Sequence, residues 1–137
     1  MAAPQPIADN IVVYRALRNS NWRDKRTGDI TFKAFLLRPG SEQFPPEEEL
    51  SLGITPESAV DELTEHHGTA ALLVEAVHSL PHNLRIVPDR AGNSAKAEMT
   101  GLPLFSTEPE QRGLAIAVGT DLANIAWFVA VTGGALN

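Results

Sequence analysis

Three residues that lie far apart in the sequence have side chains that together suit one chemistry. Arg15 stands in the segment VYRAL, Ser51 in ELSLGITPES and Glu98 in KAEMTG. An arginine binds phosphate groups through two parallel hydrogen bonds, and a serine hydroxyl can orient a ribose. A glutamate stabilises the positive charge that develops on a sugar as its glycosidic bond breaks. The set therefore suits a nicotinamide dinucleotide such as NAD, with Tyr14 beside the arginine as a further contact.

Each of these residues also has a purely structural interpretation. Arg15 could face solvent from one side of a strand, or it could form an internal ion pair with Glu75, which interrupts the apolar segment ALLVEAV. A buried carboxylate needs such a partner because an isolated buried charge is strongly unfavourable. Ser51 and Glu98 could simply be the outward-facing residues of their strands. The two partners of Arg15 have opposite meanings, since Glu75 would make it structural and Glu98 would make it a phosphate ligand.

The sequence gives no support for a metal site. It has no cysteine, and the adjacent His66 and His67 would point about 100° apart on a helix, which prevents them from binding one ion together. His78 and His82 have the spacing of a helical metal pair, but Pro81 interrupts the helix that would align them. We therefore expect no metal and no firmly bound cofactor, with NAD as the candidate substrate.

The size and charge of the chain limit the classes of protein to which it can belong. The 137 residues suffice for one domain, and the net charge of −6 is unevenly spread. Residues 15–38 hold seven of the eleven basic side chains, whereas residues 42–65 hold eight acids and no base. A basic first third in an acidic protein favours a local site for an anion over general binding of nucleic acid.

No segment predicts export or insertion into a membrane. The N-terminus MAAPQPIADN lacks the basic and apolar regions of a secretory signal. The apolar segment 114–131 approaches the length that spans a bilayer, but Asp121 and Asn124 lie at its centre, where a carboxylate costs roughly 3 kcal/mol. We therefore expect a soluble, cytoplasmic protein.

The expected fold class is α+β, with about six short strands in an antiparallel or mixed sheet. Thr55 and Pro56 mark the start of one helix, and Thr107 with Glu110 matches the capping box of a second. Strands that follow one another without a helix between them argue against a doubly wound sheet. The predicted elements are an N-terminal tail (1–10) and a single domain (11–137) with strands 11–17, 30–37, 50–54, 69–80, 84–89 and 96–103, a short helix 56–67 and a long C-terminal helix 108–131.

The order Arg15, Ser51, Glu98 in a small α+β domain resembles the ADP-ribosyltransferase superfamily, including the RES-type toxins that consume NAD. The resemblance covers residues 11–101 and implies that Arg15 grips the dinucleotide, that Ser51 supports the nicotinamide ribose and that Glu98 is catalytic. The chain departs from the family's pattern where Ser-Thr-Ser becomes Ser-Leu-Gly at 51–53, and where a lysine stands two residues before the glutamate. The segments YRA, LS and GLP also resemble those of small uncharacterised bacterial proteins.

We therefore predict a domain that binds a nucleotide such as NAD and has ADP-ribosyl-transfer-like or NAD-cleaving activity. The alternative is a non-catalytic interaction module, antitoxin-like or accessory, that uses its apolar C-terminal helix. That helix would bind a protein partner or a second copy of the chain.

Overall fold

The computed structural model describes residues 7–38, 40 and 47–131. Over these residues the chain forms one six-stranded antiparallel sheet, and the α+β class is confirmed. The strands are β1 (Val12–Ala16), β2 (Leu50–Gly53), β3 (Thr69–Leu73), β4 (Arg85–Pro88), β5 (Lys96–Thr100) and β6 (Trp127–Val129). Their order across the sheet is β4-β5-β2-β1-β3-β6. The helices are α1 (Pro56–Val60), α2 (Val74–His78), α3 (Pro109–Ile125) and two 3-10 helices at Ser20–Trp22 and Phe32–Phe35.

The first strand lies at the centre of the sheet, between β2 and β3. Its β-branched and aromatic residues favour extended backbone, and it pairs with β3 along its whole length. Tyr14 of β1 lies opposite Gly53 of β2, and on the other side of β2 Ser51 lies opposite Glu98 of β5. Because residues directly opposite each other share a face, this register decides which side chains can meet.

One face of the sheet, called here the inner face, carries the hydrophobic core. The buried side chains that β2 and β5 contribute to it are Leu50, Leu52, Ala97 and Met99. The 3-10 helix Phe32–Phe35 packs on this face, and α3 packs on that helix through Val118 and Leu122. Gly119 of α3 allows close contact, because a Cβ built there would lie 3.0 Å from the carbonyl oxygen of Phe32.

The opposite face, called the outer face, is partly covered by α1. Thr55 begins α1 with a capping box, in which its Oγ accepts from the Ser58 amide at 3.1 Å and its own amide donates to Ser58 Oγ at 3.0 Å. Gly53 permits this helix to lie against the sheet, since a Cβ at Gly53 would stand 2.6 Å from the Cα of Ala59. The part of the outer face formed by β4 and β5 lies to one side of α1.

The predicted strand at 30–37 is wrong. Phe32–Phe35 is a 3-10 helix, and only Ile30 and Leu37 form isolated β-bridges on either side of it. Alternating apolar residues suggested a strand with one buried face. Ala34 and Phe35 are both buried although they are adjacent, because α3 and the sheet enclose this segment from two sides. Tertiary packing here outweighs the β-preference of Ile and Phe.

Four further boundaries differ from the prediction. The strand expected at 96–103 ends at Thr100. The segment 69–80 is a strand only as far as Leu73, after which Val74–His78 forms α2, because Glu75 and Ala76 favour a helix and Glu75 suits its first turn. Helix α1 ends at Val60 and does not reach residue 67.

Helix α3 ends at Ile125, before the expected residue 131. The three residues Trp127–Val129 pair with β3 as a sixth strand that was not expected. The last six residues of the predicted domain lie outside the described residues.

The N-terminal segment is bound to the domain from Ile7 onward. The amide of Ile7 donates to the Ile86 carbonyl at 2.7 Å, and the amide of Glu75 donates to the Asp9 carbonyl at 3.0 Å. The ring of His78 lies nearby, where Nδ1 bonds Asp9 at 3.0 Å and Nε2 accepts from the Ile86 amide at 3.1 Å. The domain therefore begins earlier than the expected residue 11, and positions 1–6 of the expected tail lie outside the described residues. Among the residues described, no helix is long and apolar enough to cross a bilayer.

Candidate functional site

Arg15 projects from β1 into the inner face and is only 3% exposed. Its Nε donates to the carbonyl of Ala34 at 3.0 Å, and its Nη1 donates to the carbonyl of Ser51 at 3.3 Å. The guanidinium carbon also lies 5.5 Å from the centre of the Trp22 ring, a cation–π distance. Arg15 thus joins the 3-10 helix Phe32–Phe35 to β2 through main-chain contacts.

The charge of Arg15 is poorly compensated. Burial lowers the pKa of its guanidinium to about 9, and the positive charges of Arg18 and Arg38 act in the same direction, against the opposite effect of Glu47. Within the described residues, no carboxylate forms an ion pair with it. Glu75 is exposed on α2, so the internal pair that we considered is not formed.

Arg15 and Glu98 lie on opposite faces of the sheet. Since Tyr14 is opposite Gly53, Arg15 shares the inner face with Leu52, whereas Glu98 lies opposite Ser51 on the outer face. The three residues that suited NAD therefore do not converge on one cleft. An arginine that is buried on the inner face has no access to a ligand bound beside Glu98.

Ser51 and Glu98, in contrast, are brought together as direct cross-strand neighbours. Their Cβ atoms in such a pair are about 5 Å apart. Ser51 is exposed and Glu98 is largely buried, so the hydroxyl lies at the more accessible edge of the pair. Tyr14 is half-buried on the same outer face, one strand further along, where α1 covers the sheet.

Glu98 lies in an open groove of about 590 Å³, called here the Glu98 groove. Its walls are formed by the outer faces of β4 and β5 and by the chain before β2. The residues that line it are Glu49, Arg85, Val87, Pro88, Asp89, Arg90, Glu98 and Thr100. Two arginines, three carboxylates and an apolar wall therefore face one space, and two of the carboxylates, those of Glu49 and Glu98, lie close together.

The glutamates of this groove interact directly. Partial burial raises the pKa of Glu49, and the hydrogen bond to the Glu98 carboxyl and the negative charge of Glu98 raise it further, although Arg90 opposes them. The neighbouring carboxyl of Glu98 thus favours the protonated form of Glu49 more than water would.

Arg90 organises the pair from the turn between β4 and β5. Its amide donates to Glu98 Oε1 at 2.7 Å, and its guanidinium contacts Glu49 Oε2 and lies 3.8 Å from Glu98 Oε2. The negative charge of Glu49 is the main cause that raises the pKa of Arg90. The Arg90 side chain is 63% exposed, so it is open to solvent while it contacts the two carboxylates.

Sequence reasoning missed Glu49, Arg85 and Arg90. The signal was the three glutamates at 47–49 directly before β2, together with the hairpin segment LRIVPDR, which places an arginine eight residues before Glu98. Recognising it needs the pairing of β2 with β5, which joins residues far apart in the sequence. In the part of the chain that the structure describes, no group of three or more His, Asp or Glu side chains is arranged to hold a metal ion.

Comparison of the chain with protein-family models, with curated proteins and with solved structures gave no match.

Proposed function

We propose that the Glu98 groove binds a nucleotide such as NAD and cleaves the bond between its nicotinamide and ribose. The observation that carries this proposal is the position of Glu98, which lines the groove with a second glutamate and two arginines. Its cross-strand neighbour Ser51 lies next to the groove lining on the same face. The arrangement replaces Arg15 of the sequence-based hypothesis with Arg85 and Arg90. A volume of about 590 Å³ is within the range of small-molecule sites.

The roles follow from the chemistry of the side chains. Arg85 and Arg90 hold the pyrophosphate, because a guanidinium matches two phosphate oxygens at once. Ser51 hydrogen-bonds a ribose hydroxyl. Glu98 stabilises the positive charge that develops on C1′ as the electron pair of the glycosidic bond leaves with nicotinamide. Water then bonds to C1′, and its proton passes to the carboxyl pair, which yields ADP-ribose and nicotinamide.

The decisive experiment is release of nicotinamide from NAD by the wild type and by Glu98→Gln. Loss of a carboxylate that acts in the transition state lowers the rate by about 100-fold or more. The matched control is Glu62→Gln, which changes the same charge at an exposed position after α1 and should leave the rate unchanged. The proposal fails if the wild type releases no nicotinamide above background, or if Glu98→Gln is as active as the wild type.

The contribution of the Arg90 side chain to binding is measured by affinity and not by rate. Arg90→Ala should weaken NAD binding about tenfold, as measured by calorimetry, because one charged contact to phosphate is removed. Arg112→Ala is the control, since that arginine stacks on Phe105 at 4.0 Å, away from the groove. Equal affinities of wild type and Arg90→Ala would remove the arginine from the site.

The alternative of an interaction module based on the C-terminal helix stays a prediction. The buried residues of α3, among them Val118 and Leu122, already pack within the domain. Among the described residues, the two large exposed apolar side chains belong to different elements, Leu114 to α3 and Trp127 to β6. They do not by themselves make a continuous surface.

A further inference from the structure

A second groove lies beside the polar turn that follows β1. It measures about 640 Å³ and is bordered by this turn, by the residues that precede β3 and by β6 with the residues after it. We call it the Arg23 groove, after the arginine in its lining. It shares no lining residue with the Glu98 groove and is independent of the function proposed there.

The Arg23 side chain is held in place by packing as well as by hydrogen bonding. Its guanidinium carbon lies 3.6 Å from the centre of the Phe128 ring, and its Nε donates to the carbonyl of Gly28 at 2.8 Å. Gly68 also lies against this ring, since a Cβ built there would meet Phe128 Cε1 at 2.6 Å. A Cβ at Gly28 would in turn lie 3.3 Å from Arg23 Nη2.

Both glycines have positive φ angles, +80° at Gly28 and +93° at Gly68, which other residues rarely adopt. They therefore permit a compact stack of Gly68, Phe128, Arg23 and Gly28. The conformational entropy of the arginine is lost when the protein folds and not when a ligand binds. Such preorganisation increases affinity for an anion that presents two oxygens to the guanidinium, such as a phosphate or a carboxylate.

The groove has an excess of positive charge. Lys25 lines it together with Arg23, and His67 and Ser20 add an imidazole and a hydroxyl. The one acid in the lining is Asp24, whose carboxylate accepts from the amides of its own turn, Arg26 at 2.7 Å and Thr27 at 3.2 Å. Across residues 7–38, 40 and 47–131, no ion pair joins Arg23 or Lys25 to a carboxylate.

From this geometry we infer that the Arg23 groove binds the phosphate group of a small phosphorylated molecule. Arg23 supplies the fixed planar contact, and Lys25 supplies a mobile charge. His67 and Ser20 provide the remaining polar contacts. The apolar walls formed by Ala130 and Val131 can receive the organic part of the ligand. The volume is within the range of sites for small molecules.

The test is binding of inorganic pyrophosphate, ADP and adenosine at constant ionic strength, measured by calorimetry. Pyrophosphate and ADP should bind, and adenosine should not. Lys25→Ala should weaken pyrophosphate binding about tenfold, whereas Arg26→Ala should change it by less than about twofold. Arg26 is the matched control because it is the next residue in the same turn, carries the same charge and does not line the groove.

Two outcomes would overturn the proposal. One is the absence of binding of both pyrophosphate and ADP to the wild type. The other is an equal loss of affinity in Lys25→Ala and Arg26→Ala, which would show attraction to a charged surface without a defined site. Arg23→Lys, with its melting temperature measured alongside, adds a test of the planar contact, which a lysine cannot make.

The site is located separately from the Glu98 groove by nuclear magnetic resonance. Pyrophosphate should shift the amide signals of Gly28 and Gly68, and it should do so equally in Arg90→Ala. Shifts confined to Arg90 and Thr100 would assign the binding to the other groove and refute the inference. Failure of NAD cleavage leaves these expectations unchanged, so the two proposals can fail independently.

Discussion

Arg15 shows how far a single residue can be interpreted from sequence. Its place in a strand was predictable from the β-branched and aromatic residues around it. Its face was not, because a shift of one residue in register reverses every side chain of a strand. Arg15 donates to the carbonyls of Ala34 and Ser51. The first of these lies in a 3-10 helix for which the sequence pattern predicted a strand.

The buried guanidinium predicts a structural effect of substitution. Arg15→Lys keeps the positive charge but cannot reach both carbonyls or stack as a plane on Trp22. We expect a loss of about 1–3 kcal/mol in the free energy of unfolding, measured with urea, because a buried carbonyl loses its donor. Arg18→Lys is the control, since that side chain is exposed. If Arg15→Lys instead kept full stability and lost NAD binding, Arg15 would be a ligand contact.

The glutamate pair gives the opposite lesson at the same scale. Of the two glutamates, only Glu98 was singled out from the sequence. Its cross-strand neighbour Ser51 was singled out as well. Glu49 was hidden within a run of acids that resembles an exposed loop. Burial and the carboxyl of Glu98 distinguish it from Glu48, which is 75% exposed.

At the scale of elements, the order of strands was mostly predictable, and the failures have physical causes. Strong patterns with clear ends, such as β1, β5 and α1 at Thr55, are close to their expected positions. Segments enclosed by other elements, such as Phe32–Phe35, adopt whichever conformation the packing requires. The strand β6 was missed because it consists of only three residues at the end of a long apolar segment. The earlier part of that segment belongs to helix α3.

The two glycines of α3 provide a matched prediction. Gly113→Ala should raise the free energy of unfolding by about 0.5–1 kcal/mol, because alanine favours helix and a Cβ there meets nothing within 4 Å. Gly119→Ala should lower it by about 1 kcal/mol, because its Cβ would lie 3.0 Å from the Phe32 carbonyl and 3.2 Å from the Phe32 Cβ. Urea denaturation of both variants measures the difference. Equal effects would mean that α3 is not packed on the 3-10 helix.

At the scale of the whole molecule, the uneven charge along the sequence was informative. The basic third of the chain supplies Arg23 and Lys25 to one groove, and the acidic run supplies Glu49 to the other. Composition alone led to the prediction of a local anion site, for which the Arg23 groove is our proposal, but composition could not give its position. The placement depends on β6 and on residues 67–68, which approach the basic turn only in the folded chain.

Stability should depend on pH through Glu49. The pKa of Glu49 is raised above the ordinary 4.5 in the folded protein. Between pH 4.5 and this raised pKa, the folded chain therefore binds more protons than the unfolded chain. The stabilising contribution of Glu49 is therefore complete below about pH 4.5 and decreases as pH rises through the raised pKa. Glu49→Gln should remove this dependence. Urea midpoints of the wild type, Glu49→Gln and the control Glu62→Gln across the acidic range measure it.

A wild-type curve that runs parallel to that of Glu49→Gln at every pH would contradict the raised pKa. Glu62→Gln should follow the wild type, because its exposed carboxylate is solvated in both states. The comparison of the two variants cancels the general effect of net charge, since both remove one negative charge.

The contacts of Ile86 protect the sheet at one of its two borders. β4 is an edge strand, and such a strand can add a strand from another molecule and so begin aggregation. Here the amide of Ile86 is bound by a histidine ring and its carbonyl by the amide of Ile7, so neither group is available to an incoming chain. Pro88, at the end of the same strand, has no amide to offer. The residues before β1 therefore hinder the addition of another strand to β4, since Ile7 binds the Ile86 carbonyl and Asp9 bonds the histidine that binds the Ile86 amide.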